Sequence, residues 1–330
     1  MNKDALDQIK ALREDRRNLP VALHVFSTLA IIGLAIAALW FTKEWTRLGS
    51  NFWFVWVAAF LIIGLMQYRM VMAVHEATHK NLFFPAAVNE TVGKILCGFL
   101  GMNLGMYRKS HLQHHKSPQK IGEDVDAPLY SPPMRVAPGF TRFWALLTGV
   151  VDSLFRKIIR KFSKQPEFAG KKIEVERDWL QLLLILVAQV AMFALFATQI
   201  VWWAYFTHWL APLVLIAQLM DELRIFVEHG YNYFQTTNPA PIDELQQSTI
   251  DVETNFLERY LFAPYGFDMH LAHHAQLTVP FYNLKKLSRI LQENDPNYGK
   301  PIKRSYLGIL WEMINAVPQV AHPGGGKRGE

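Results

Sequence analysis

From Trp179 to Met220 the chain carries no Asp, Glu, Lys or Arg. A bilayer core of about 30 Å takes roughly 20 apolar helical residues to cross, so this stretch is about two crossings long. It predicts a hairpin of two spans turning near Thr198-Gln199, with Trp202, Trp203, Tyr205 and Trp209 in an aromatic belt just past the turn. Two earlier runs are of the same kind. Pro20 to Thr42 and Phe52 to Tyr68 hold no charged residue, and after Arg69 the second run continues to Val74. Spans are therefore expected at residues 20–42, 52–74, 179–198 and 200–220. Backbone in lipid must satisfy its own hydrogen bonds, so the expected fold class is an all-α integral membrane protein with four transmembrane helices.

Composition agrees. Hydrophobic residues make up 51% and charged residues 19%, which is apolar for a soluble protein. The net charge of +6 fits an excess of Lys and Arg on the cytoplasmic side. No nucleic-acid recognition motif accompanies that charge, so a nucleic-acid partner is not expected. Cys97 is the one cysteine, which excludes a disulfide framework, a Cys-ligated iron–sulfur cluster and a thiolate zinc site. The N-terminal residues MNKDALDQIKALREDRR lack the apolar core of a signal peptide, so the first apolar run is expected to remain as a span.

The remaining chain divides accordingly. Residues 1–19 read as a charged cytoplasmic segment, 20–290 as the membrane domain with a cytoplasmic helical cap from 75–178 and 221–290, and 291–330 as a polar, basic cytoplasmic tail. Ile95 to Met106 is apolar but short for a crossing, and reads as a re-entrant, interfacial or buried helix, with Gly98, Gly101 and Gly105 pointing to close helix contact. Residues 122–139 and 235–254 read as loop. Arg156 to Lys172 is strongly basic and suits a solvated cytoplasmic surface, anionic headgroups or an acidic partner.

Histidine carries the chemistry. His111-Leu-Gln-His-His115 recurs as His270-Leu-Ala-His-His274, and His75-Glu-Ala-Thr-His79 precedes both. Positions i, i+3 and i+4 share a helix face, so each cluster can present its imidazoles together. Imidazole is the commonest protein metal ligand. With His229, the candidate ligands are His75, His79, His111, His114, His115, His229, His270, His273 and His274. One zinc or iron takes three or four protein ligands, so this set suits two ions. Imidazole serves Zn, Cu, Fe and Ni alike, and the scarcity of carboxylate disfavours Mg, Ca and Mn. Glu76, Glu228, Asp124 and Asp126 are candidates to orient ligand imidazoles. With the N-terminus in the cytoplasm, an even number of spans places all these residues, and most of the Lys and Arg, on one membrane face.

The order HxxxH, HxxHH, two-span hairpin, HxxHH resembles the membrane fatty-acid desaturase superfamily, which includes acyl-lipid and acyl-CoA desaturases, lipid hydroxylases and carotenoid ketolases. The resemblance covers residues 20–290, including Glu228-His229 and Val279-Pro280-Phe281-Tyr282-Asn283-Leu284 after the last cluster. It implies two non-haem irons held by the histidines at these motif positions, O2 as co-substrate, and oxidation of an unactivated C–H bond in a membrane lipid or acyl substrate. Desaturation is the expected outcome, with hydroxylation or ketone formation on a lipid or isoprenoid as the alternative. Ile225 stands where animal-type acyl-CoA members have asparagine, the first cluster is the shorter form, and His270 is not the glutamine of front-end members. These departures make acyl-CoA the less favoured substrate form. No flavin, haem or iron–sulfur motif is present, so electrons are expected from a separate ferredoxin or cytochrome.

Other readings compete. His75-Glu76-Ala-Thr-His79 also matches HExxH, the zinc-protease motif, but a protease needs only one further ligand and leaves six cluster histidines idle. A metal carrier would keep ionisable groups within its spans, and these spans hold only His24 and His208, both expected to be structural. His322-Pro-Gly-Gly325 looks like a cytochrome b5 haem motif but has only a short tail after it.

Overall fold

A computed structural model describes residues 1–47, 52–118, 124–149, 167–168, 171–172, 178–235 and 248–318. Its helices in chain order are α1 (Lys3–Glu14), α2 (Asn18–Arg47), α3 (Trp53–Thr78), α4 (Ala86–Leu100), α5 (Leu104–Lys116), α6 (Ala127–Met134), α7 (140–149), α8 (Trp179–Gln199), α9 (Gln218–Gly230), α10 (Asn232–Gln235), α11 (Phe256–Leu261), α12 (His270–Ala275), α13 (Leu284–Asn294) and α14 (Tyr306–Asn315). Extended structure among the described residues is limited to a two-residue pair, Glu167–Phe168 with Lys171–Lys172, and two isolated bridges. His322 and most of the basic stretch 156–172 lie outside the described residues. The chain forms two compact units: Arg17–Arg108 with Glu176–Met220, and Met1–Arg16 with Lys109–Val175 and Asp221–Glu330.

In the first unit, α2, α3 and α8 are each long and apolar enough to cross a membrane. α2 and α8 expose large apolar side chains such as Phe26, Leu34, Leu183 and Leu186, a surface that calls for lipid. α3 is the most enclosed of the three and packs against α2 and α4, while α4 packs against α8. The fourth apolar run differs from the expected plain helix. It is helical from residue 204 into α9, but π-helical segments at Phe206–Leu210 and Leu213–Ala217 interrupt it. Pro212 lies between them; it has no N–H to donate, and its ring displaces the carbonyl four residues back.

The aromatic belt also needs correcting. Trp202 and Trp203 are exposed, but Tyr205 and Trp209 are buried. Tyr205 donates its hydroxyl to Gln189 Oε1 at 2.8 Å, and Gln67 Nε2 donates to the Trp209 carbonyl at 2.8 Å. His24 meets Arg69, whose Nη2 stands 3.4 Å from His24 Nδ1, and His208 Nε2 meets the Trp56 carbonyl at 3.2 Å. Ile95 to Met106 is divided: α4 ends at Gly101, whose φ of +67° is the left-handed conformation that closes helices, and α5 begins three residues later. Gly98 is the close-contact glycine of the three, since a Cβ there would meet the Leu184 carbonyl oxygen at 3.0 Å.

The second unit is built from short helices. α13 buries Leu284, Leu287 and Leu291 along one face and packs against α1 and α12; each such leucine contributes about 2 kcal/mol. α1 is tied down by Tyr282, which donates to the Asp15 carbonyl, and by Asn283, which donates to the Leu12 carbonyl. Residues 122–139, expected as loop, contain α6 despite Pro132 and Pro133. Packing overrides the proline signal, because Tyr130 is fully buried and donates its hydroxyl to Asp124. Of 235–254, residue 235, which ends α10, and the residues from 248 onward are described, and Asp251 and Val252 bridge to Met269 and Ile302.

Candidate metal centre

The first histidine cluster closes α3. His75 lies in its last turn and His79 is the C-cap. Lys80 takes φ +61°, its N–H donates to the Ala77 carbonyl, and the Asn81 N–H donates to the Glu76 carbonyl. That pairing is the Schellman closure of a helix. Arg108 adds donors to the carbonyls of Thr78 and Ala77 and pairs with Glu90 at 2.6 Å. The cluster is thereby fixed at the helix end, with the His75 and His79 rings 4.8 Å apart. Glu76 is buried, and its Oε1 stands 3.3 Å from His75 Nδ1.

The other seven candidates belong to the second unit, and all are buried. The helical spacing works as expected. α5 presents His111, His114 and His115, with His111 and His115 Nε2 atoms 2.9 Å apart. α12 presents His270, His273 and His274, with the Nε2 atoms of His270 and His274 3.2 Å apart. α9 supplies His229, whose Nε2 is 3.1 Å from that of His270. His114, His229, His270 and His274 offer ring nitrogens that all lie within 4.8 Å of one another, as do His111, His115 and His273. The sets adjoin, with the His115 and His274 rings 4.2 Å apart.

Two of these rings have their tautomer set by their partners. His229 Nδ1 lies 2.9 Å from the Ser248 carbonyl, which can only accept, so the proton is on Nδ1 and Nε2 bears a lone pair. His114 Nδ1 lies 2.8 Å from Asp124 Oδ1 and 3.6 Å from Asp126 Oδ2, so its Nδ1 also carries a proton. Asp124 is itself held by the Tyr130 hydroxyl and by the Asp126 N–H, each at 2.9 Å. The Nδ1 atoms of His270 and His274 are buried and meet no hydrogen-bond partner among the described residues.

Electrostatics favours neutral ligands. Burial and the neighbouring histidines hold His270 and His274 well below the ordinary imidazole range. Burial and the charge at His114 push His229 down to about 3. His114 is the exception: burial disfavours its charged form, but Asp126 and Asp124 outweigh burial and raise its pKa. Burial raises Glu228 to about 7 against the pull of Arg224.

Converging lone pairs in a dry pocket fit a cation. Ring nitrogens sharing one transition-metal ion at about 2.1 Å stand roughly 3.0–3.4 Å apart, close to the 3.1 and 3.2 Å separations of His270 from His229 and His274. An all-imidazole donor set suits iron, zinc or copper.

Several supporting residues escaped the sequence reading. Arg224 is buried beside the site, paired with Glu228 at 2.5 Å and Asp221 at 2.7 Å, and lies over the Phe267 ring, which stacks on His270. Glu228 also accepts from Tyr306 at 3.2 Å, so α14 reaches the site's surroundings from the expected tail. Asp251 accepts from the Ala272 N–H, the Ser288 hydroxyl and the Tyr298 hydroxyl. Of these, only Arg224 carried a signal: it lies one helical turn before Glu228, at the spacing of a helix ion pair.

Comparison with known proteins gives the same direction. Residues 50–306 match the fatty acid desaturase family. The chain is 24% identical over 330 aligned residues to the dihydrorhizobitoxine desaturase of Bradyrhizobium elkanii, covering 95% of this chain and 86% of the relative. It is 22% identical to the sn-1 oleoyl-lipid 12-desaturase of Anabaena variabilis, covering 80% and 75%. It is 21% identical to the sn-1 acyl-lipid omega-3 desaturase (ferredoxin) of Nostoc sp. (strain 36), covering 87% and 79%. With most of its length matched by one family, the chain belongs to the fatty acid desaturases and is an oxidoreductase.

Proposed function

We propose that this protein is an O2-dependent desaturase that introduces a double bond into the acyl chain of a membrane lipid, with electrons from a separate ferredoxin-type or cytochrome donor. The observation that carries the reading is the gathering of seven motif histidines into two adjoining, buried sets of converging nitrogens. The names of the Anabaena and Nostoc relatives support an acyl-lipid substrate, and the latter's name also supports a ferredoxin donor. The nine histidines His75, His79, His111, His114, His115, His229, His270, His273 and His274 would hold two irons. When bound, such a pair supplies the redox chemistry that couples O2 reduction to removal of hydrogen from an unactivated C–H bond.

The chain's own residues then have definable tasks. His229 and His114 keep their protons on Nδ1, on Ser248 and Asp124, and so present Nε2 to the metal. The Arg224–Glu228–Tyr306 network holds α9 against its surroundings and sets Glu228 Oε2 3.5 Å from His270 Nε2. Glu76 fixes the His75 ring at the end of α3. The reading also assigns the run from 204 to 220 as a fourth crossing, which brings the chain back to the cytoplasmic side, where the metal centre and both termini then lie.

The test is expression in a host lacking its own desaturases, followed by mass spectrometry of the lipids. Loss of two hydrogens from an acyl chain is the expected result. Gain of one oxygen would replace desaturation by hydroxylation. An unchanged lipid profile with turnover of dihydrorhizobitoxine would favour the reading suggested by the name of the Bradyrhizobium relative. If an acidic ferredoxin is the donor to this basic chain, turnover falls steeply between low and physiological salt; salt-independent turnover would contradict that pairing.

A further inference from the structure

α14 is ten residues long, about 15 Å, roughly half a bilayer core. It places apolar side chains on both its buried and its exposed side, with Glu312 and Asn315 as its polar residues. Tyr306, Ile309, Met313 and Ile314 are buried, while Leu307 and Trp311 are 53% and 71% exposed. α7 shows the same pattern: Arg142 and Leu146 are buried, Phe140 and Trp144 are 76% and 55% exposed with stacked rings, and Phe143 is also exposed. Exposed Trp, Phe and Leu beside a few polar residues suit a helix lying in a membrane interface, and these helices are too short to span.

The two helices form one surface. The Gly139 N–H donates to the Ile314 carbonyl at 2.8 Å, and the Arg142 guanidinium donates to the carbonyls of Met313 and Ala316, both at 2.5 Å. Arg142 thus satisfies the C-terminal carbonyls of α14 from inside the protein. The carbonyls of Glu312, Met313 and Ile314 are thereby paired within the protein, as backbone placed in lipid requires. Lys300 and Lys303 are exposed on the segment leading into α14, Lys303 standing 3.9 Å from Glu253, and Arg304, paired with Glu312, lies next to them.

We propose that α7 and α14 form an interfacial anchor: Phe140, Phe143, Trp144, Leu307 and Trp311 enter the headgroup–acyl boundary of a bilayer, with the lysines before α14 on anionic headgroups. Three observations select lipid as the occupant. The protein carries three helices long and apolar enough to cross a membrane. The centre of the patch is Trp, Phe and Leu, the side chains of an interfacial helix. The cationic approach complements an anionic leaflet.

The test uses the unmodified full-length protein in nanodiscs of phosphatidylcholine with or without phosphatidylglycerol. A photoactivatable diazirine is placed either in the lipid acyl chain or in a water-soluble reagent, and labels are mapped by mass spectrometry. The anchor predicts acyl-chain labelling of peptides 140–149 and 306–315 within about threefold of that on α2 and α8. It also predicts more labelling with phosphatidylglycerol, and protection from the aqueous reagent. Acyl-chain labels confined to the spans, with α7 and α14 open to the aqueous reagent, would overturn it. Protection that appears only when a ferredoxin or cytochrome is added would also overturn it and assign the surface to a protein partner. As a second arm, Trp311→Glu with Trp144→Glu should leave the metal content unchanged and reduce acyl-chain labelling of both helices severalfold; unchanged labelling contradicts the anchor.

Discussion

Asp124 accepts the His114 Nδ1 proton and is held in turn by Tyr130, so the imidazole is oriented by a carboxylate that cannot itself turn away. Partners of this kind tune metal sites strongly. Asp124→Ala is expected to weaken iron binding by about 10–100-fold, and Tyr130→Phe by less, as read by chelator competition; unchanged affinity would remove Asp124 from this role. His229 provides a second test at this scale. Its folded pKa of about 3 lies below the ordinary 6.5, so its contribution to folding is complete above pH 6.5 and is lost as pH falls toward 3. Metal-free protein should therefore lose stability relative to a His229→Gln variant by about 1.4 kcal/mol per pH unit below 6.5. Denaturant melts of both proteins from pH 7 to 5 check this, and a constant difference would contradict it. The candidate ligands stood out in the sequence because three short clusters at helical spacing gather eight histidines, with His229 apart from them. Asp124 was legible as a neighbour in sequence. Ser248, Tyr306 and Asp251 were not, because nothing local links them to the histidines they serve.

α12 is six residues long and carries three of the candidate ligands, yet its N-cap is Met269, which makes no side-chain cap. A helix this short is not stable alone. Asp251 stands in for the cap by accepting from the Ala272 N–H at 3.1 Å, and its other oxygen is gripped by Ser288 and Tyr298. Asp251→Ala removes the substitute cap and leaves those two buried hydroxyls to find new partners. A loss of about 1–3 kcal/mol is expected, seen as a lower melting temperature together with reduced iron content; full iron content at unchanged stability would contradict the role. In the first unit, Gly98→Ala forces a Cβ against the Leu184 carbonyl and should cost about 1 kcal/mol by parting α4 from α8; a thermal melt in detergent reads it, and an unchanged melting temperature would show that the helices yield. The long elements were readable because charge-free runs of span length leave few alternatives. The π-helical run around Pro212 and the short α6 were not, since both depend on tertiary packing that overrides local preference.

At the scale of the molecule, a unit bearing three apolar helices long enough to cross a membrane is combined with a unit rich in polar contacts that holds seven of the nine candidate ligands. The division fits a lipid oxidase, which needs a greasy path for its substrate and a dry polar cage for its metal. The central claim is that the motif histidines hold a pair of irons. It is tested most directly by the metal content of the full-length protein purified in detergent, measured beside a His270→Ala variant. About two irons per chain are expected, with a clear loss in the variant. One zinc per chain, indifferent to His270, would contradict it and favour a single-metal HExxH site at His75 and His79.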